Sequence, residues 1–170
     1  MSYRDGNGGM PKDLQLAVFW LREAAEGGLA NAQAELGSLY SKGACGLEKD
    51  TEEAAKWLRK AAEQGDVKAQ ACLGFLYWTG EVEIADSDTE AVRLFQAAAK
   101  QGHAKAQFGL GCCYMDGTGV EKDYQAACRW LALSCKEIPQ AQIRLAMALT
   151  KLSPDQREKT DMDALTFLKF

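Results

Sequence analysis

The chain has one histidine, three prolines and no apolar run that approaches the length of a membrane-spanning helix. A single histidine, His103, leaves any Ser-His-Asp or Cys-His nucleophile set with one residue to draw on. Basic residues are not in excess either: 20 Lys and Arg stand against 24 Asp and Glu, for a net charge of −4. That balance argues against general nucleic-acid binding, because counterion release needs many clustered cations. Met1 to Asp13 is polar and Gly-rich with no apolar signal segment, so a cytoplasmic protein without membrane insertion is expected. What is plentiful is alanine, 27 residues, and glycine, 16. With 47% apolar and 26% charged residues the chain has the makings of a packed core. Much alanine, little proline and regular glycine read as helix with periodic interruptions.

The interruptions are periodic. Tyr3, Tyr40, Tyr77 and Tyr114 recur at steps of 37, as do Gly6, Gly43, Gly80 and Gly117. Ala-Gln returns at Ala32-Gln33, Ala69-Gln70 and Ala106-Gln107, and Leu-Gly at Leu36-Gly37, Leu73-Gly74 and Leu110-Gly111. A second half-unit carries Trp20, Trp57, Leu94 and Trp130, then Ala24-Ala25, Ala61-Ala62 and Ala98-Ala99, and closes on Gly28, Gly65 and Gly102. So many columns in register define a repeat.

Each unit reads as two helices. Ala32, Leu36, Leu39 and Tyr40 form one stripe of a helix over 31–42, stopped by Gly43. Ala54, Trp57, Leu58, Ala61 and Ala62 form a stripe over 50–64, stopped by Gly65. Asp13, Asp50 and Asp123 are placed to cap the second helices, with Ser87 filling that column in one unit. The mid-helix glycines Gly37, Gly74 and Gly111 cost about 1 kcal/mol each against alanine, so their recurrence points to close approach of helix axes.

The string Ala-Gln-x-x-Leu-Gly-x-x-Tyr-x-x-Gly-x-Gly-Val-x-x-Asp, best seen from Ala106 to Asp123, resembles the Sel-1-like repeat. That family is related to the tetratricopeptide repeat. The resemblance implies an all-α, α/α superhelical solenoid of stacked antiparallel helix pairs. On it, 1–12 ends a truncated preceding repeat and 13–28 is a leading helix. Repeats follow at 29–65, 66–102 and 103–137, a degenerate first helix at 138–152, and a capping helix at 153–170. Glu81 to Asp86 departs from the Gly-x-Gly-Val pattern of the loop.

If the tetratricopeptide arrangement carries over, the first helices line a concave wall, opposite their Ala, Leu and Tyr columns. Phe75, Trp78, Phe108, Met115, Ile143 and Met147 are then apolar on a surface that the fold does not need to bury. The same wall carries Lys42, Lys68, Lys105, Arg144 and Lys151 against Glu35 and Asp116, a local +3. A protein or peptide partner with apolar and acidic groups suits it. The partner-binding residues expected are Lys68, Phe75, Trp78, Lys105, Phe108, Met115, Ile143, Arg144 and Met147. The function expected is an adaptor or scaffold without catalysis, cofactor or metal.

Two alternatives stand beside it. Cysteine-rich members of the family have been linked to weak hydrolysis or β-lactam binding, but this chain lacks their regular intra-repeat disulfide columns. Its six cysteines, Cys45, Cys72, Cys112, Cys113, Cys128 and Cys135, read mainly as free thiols, with Cys72 and Cys112 on the concave wall. A disulfide from Cys112 or Cys113 to Cys128 and a zinc site among the last four are further readings. The other alternative is an oligomerising scaffold or inhibitor that uses its convex face or the ends of its stack.

Overall fold

The computed structural model describes the backbone of residues 12–167 and the side chains of residues 14–160. The expected roles of Tyr3, Gly6 and the Asp13 cap fall outside the described residues or side chains. Every element among the described residues is helical: α1 (Lys12–Glu26), α2 (Ala30–Lys42), α3 (Thr51–Glu63), α4 (Val67–Trp78), α5 (Ser87–Lys100), α6 (Ala104–Asp116), α7 (Tyr124–Ser134), α8 (Pro139–Thr150) and α9 (Pro154–Phe167). The fold is all-α, built of antiparallel helix pairs in the manner of a helical solenoid. The chain divides into two compact units, Met1–Glu83 and Ile84–Phe170.

In the first unit α1 packs on α2, α2 on α3, α3 on α4, and α2 also touches α4. Its core gathers Ala25, Ala32, Leu36 and Trp57, flanked by Leu21, Ala24, Tyr40 and Leu47. In the second, α5 packs on α6, α6 on α7, and α7 on both α8 and α9. Phe95, Leu110 and Leu131 are fully buried there. The close-approach reading of the mid-helix glycines holds in both units. A Cβ on Gly37 would stand 2.7 Å from Leu58 Cγ, and one on Gly111 2.7 Å from Leu131 Cγ.

The repeat motif is a hydrogen-bonding device as well as a packing one. Each paired-alanine helix end closes through a left-handed glycine, with φ of 90°, 87° and 84° at Gly28, Gly65 and Gly102. The glycine N–H donates to the second alanine, at Ala25, Ala62 and Ala99, and the next N–H reaches back to the first. The glutamine of the following Ala-Gln then donates to that same second carbonyl. Gln33 reaches Ala25 at 3.0 Å, Gln70 reaches Ala62 at 3.4 Å, and Gln107 reaches Ala99 at 3.3 Å. One motif thus satisfies the carbonyls that a helix end leaves open. A second ladder ties the tyrosine column down: Arg22 donates to Tyr40 and Arg59 to Tyr77, each at 2.7 Å, and Gln96 to Tyr114 at 3.5 Å.

Capping follows the sequence reading in two places and departs from it in one. Asp50 accepts from the Glu53 N–H at 2.9 Å, and Asp123 from Gln125 and Ala126. Ser87 does not cap α5. It is the first helical residue, and its hydroxyl closes the loop by bonding both the N–H and the carbonyl of Ile84. The preceding Asp86 has a left-handed φ of 58° and makes no side-chain cap. Without the Gly-x-Gly-Val string this loop makes its left-handed turn at Asp86, directly before α5.

Candidate functional site

The first helices α2, α4, α6 and α8 carry the residues expected to meet a partner. Their outermost columns are exposed as expected: Asn31, Lys68 and Lys105 at the start, and Lys42, Thr79 and Asp116 at the end. The columns between them are not uniformly open. Ala34, Ala71, Gly109 and Cys112 are buried, which corrects the placement of Cys112 on a solvent-facing wall. Met115 is corrected too: it is 8% exposed and belongs to the core. The reason lies in stacking. A first helix packs on second helices and also touches the neighbouring first helix, as α2 does α4 and α6 does α8. An amphipathic stripe read from one helix counts only the second-helix contact.

In the first unit, Phe75 and Trp78 remain half-exposed on α4 and meet edge to face, 5.7 Å between ring centres at 64°. The equivalent residues on α2 are Ser38 and Ser41, so the aromatic pair is not a requirement of the repeat. Beside it Lys68 reaches Glu35 at 3.4 Å, linking α4 to α2. In the second unit Lys105 is exposed and Phe108 half-buried on α6. Ile143 and Met147 are exposed one turn apart on α8. Arg144, between them in sequence, pairs with Asp116 of α6 at 3.4 Å. Both anions of the expected basic wall therefore sit in ion pairs, whose exposed geometry is worth about 1 kcal/mol or less. Lys105 has no carboxylate partner among the described residues.

The chemistry-bearing residues have structural duties. His103 is the N-cap of α6, its Nδ1 accepting from the Ala106 N–H at 3.3 Å. Asp66 does the same for α4. The sequence signals this role through the alignment of His103 with Asp66, 37 residues earlier in the repeat. All six cysteines are free thiols. Burial pushes Cys112 up to about 11 and Cys113 up to about 12, so neither is a thiolate nucleophile near neutral pH. Burial also raises Cys135. No group of three His, Cys, Asp or Glu among the described residues is placed to hold a metal ion. No helix among them is long and apolar enough to cross a membrane.

Residues 1–29, 30–66, 67–103 and 104–137 each match the Sel1 repeat. The chain belongs to the Sel1 repeat family. Two solved structures show the likeness in three dimensions. A Sel1 repeat protein from Oxalobacter formigenes is 37% identical, with a TM-score of 0.64 over 76% of this chain and 97% of that one. The c5321 protein, a protective antigen present in uropathogenic Escherichia coli strains and displaying an SLR fold, is 28% identical with a TM-score of 0.71. That match covers 98% of this chain and 43% of the antigen, so the chain spans less than half its length. No curated protein matches the chain. The Sel1 fold is typical of non-catalytic repeats that make protein–protein contacts.

Proposed function

We propose that this Sel1 repeat chain is an adaptor or scaffold module that binds a peptide or protein segment through the exposed faces of its first helices. The observation that carries the reading is the Phe75–Trp78 pair, half-exposed where the sister helix α2 has two serines. A large apolar side chain gains about 1.5–3 kcal/mol on burial, so two of them at a surface favour a partner that covers them. In the first unit Lys68 flanks the pair. In the second, Lys105, Phe108, Ile143, Arg144 and Met147 offer the same mix of apolar anchors and cations. A segment with apolar anchors and acidic groups complements each face, its carboxylates competing with Glu35 for Lys68 and with Asp116 for Arg144.

The test gives α4 the residues of α2. Phe75→Ser with Trp78→Ser should leave the helical circular dichroism intact, because α2 folds with serines in these columns. Affinity capture with the wild type and with this variant is then compared by mass spectrometry. Partners held by the wild type and lost by the variant support the reading. Identical captured sets at equal helical content would sink it.

A further inference from the structure

The first helices start at one column of the repeat, and their starts differ. Leu29 and Ile138 precede α2 and α8 without a side-chain cap. Asp66 caps α4 through the Ala69 N–H at 2.8 Å, and His103 caps α6. A carboxylate goes on accepting in mild acid. His103 accepts through Nδ1, from the Ala106 N–H at 3.3 Å, so it caps only while that nitrogen carries no proton. An imidazolium has two N–H donors and no acceptor. It also sets a positive charge against the positive end of the helix dipole.

The charges at this end of α6 add to the bias. The helix has no acidic residue in its first turn, where the exposed Lys105 lies. Lys100 ends α5. The helix α7 runs antiparallel to α6, so Lys136 and Glu137, which follow it, stand toward the same end. The helix α8 opens on the uncharged Pro139 and Gln140. Against Lys100, Lys105 and Lys136 these elements set Glu137 alone, so an imidazolium gains no net compensation from them. His103 is also the one histidine of the chain. Imidazole is the side chain whose ordinary titration falls between pH 5 and 8.

We propose that His103 makes the start of α6 a proton-sensitive switch, capped at neutral pH and frayed over its first turn in mild acid. The fold favours the neutral imidazole. Its contribution is therefore complete above the ordinary histidine value of about 6.5, and it is lost as the pH falls through the lower value at which the folded imidazole takes its proton. The loss is local, because α2 forms behind Leu29 with no side-chain cap at all. The turn that loosens carries Lys105 and Gln107, whose amide holds the Ala99 carbonyl at 3.3 Å.

Proton NMR of the full chain follows the single imidazole directly. Its titration midpoint should lie at lower pH in the native protein than in concentrated urea. Urea unfolding at about pH 7.5 and about pH 5.2, on either side of the histidine range, gives a second readout. His103→Asp installs the cap of α4, and His103→Leu the start of α2. Between the two pH values the folding constant of the wild type should drop about fourfold relative to H103D. H103L should stay below H103D by the same factor at both. A native midpoint at or above that in urea overturns the proposal. So does an acid loss in H103D or H103L equal to that of the wild type, since other groups would then cause it.

Discussion

Trp20 and Trp57 occupy the same column of the repeat, each four residues before a pair of alanines, yet Trp57 is 9% exposed and Trp20 61%. Trp57 lies against Ala25, Ala32 and Leu36, its indole N–H donates to Glu53 at 3.0 Å, and Lys60 stands 4.3 Å over its ring. Trp57 is covered by α1 and α2, both of which precede its helix, and among the described residues no helix precedes α1. A repeat column therefore fixes which way a side chain points. Burial depends on whether a neighbour is there to meet it. The same holds on the first helices, where Cys112 is core and Met147, in the same column of the degenerate unit, is open.

The largest test of that contrast is truncation of both tryptophans. Trp57→Ala should destabilise by about 3–5 kcal/mol as a core truncation. Trp20→Ala, measured in dilute protein, should change stability by about 0.5 kcal/mol or less. Equal losses in chemical denaturation would mean that α1 is covered as α3 is.

Glycine gives the next contrast. Alanine at Gly37 must displace Leu58 from 2.7 Å, whereas alanine at Gly27 would meet only carbonyl groups at 3.3 Å and beyond. Overpacking costs about 1–3 kcal/mol, against a helix-propensity gain near 1 kcal/mol. Gly37→Ala should thus lose about 1 kcal/mol net and Gly27→Ala almost nothing. A stabilised Gly37→Ala would show that the α2 and α3 axes are not fixed by this contact.

The sequence made the helices, their order and their tight contacts legible because each has a local cause: a stripe, a stop, a missing side chain. It did not make the wall legible. Gly109, Cys112 and Met115 lie on the side of α6 that a single-helix stripe leaves to solvent, and neighbouring helices claim them. Apolar character alone did not separate Met115 from Ile143. The difference lies in which neighbouring helices each residue meets, and no single helix records that. Among the described residues α6 packs against α5, α7 and α8, and α8 only against α7 and α6. The Gln of Ala-Gln was visible as a column, but its duty to a carbonyl eight residues earlier needed the three-dimensional path between helix ends.

That duty provides a finer contrast. Gln33 donates to Ala25 and accepts from Gln64 at 2.8 Å in a buried setting, while Gln142, its counterpart in the degenerate unit, is exposed. Gln33→Ala should cost about 1–1.5 kcal/mol and Gln142→Ala about 0.5 kcal/mol at most. Matching losses in urea titrations would place Gln142 in a helix-end network like that of Gln33.

The smallest effects separate two aspartates that both stand just before a second helix. Asp50 is extended, with φ of −139°, and its carboxylate takes the Glu53 N–H. Asp50→Ala should lose about 1 kcal/mol. Asp86 is left-handed and caps nothing with its side chain. Aspartate tolerates that conformation better than most residues, and glycine tolerates it better still. Asp86→Gly should therefore stabilise by about 0.5 kcal/mol, with the Ser87 hydroxyl still holding the loop through Ile84. A loss there like that of Asp50→Ala would mean that Asp86 caps α5 in solution, and that the two loops differ less than their backbones show.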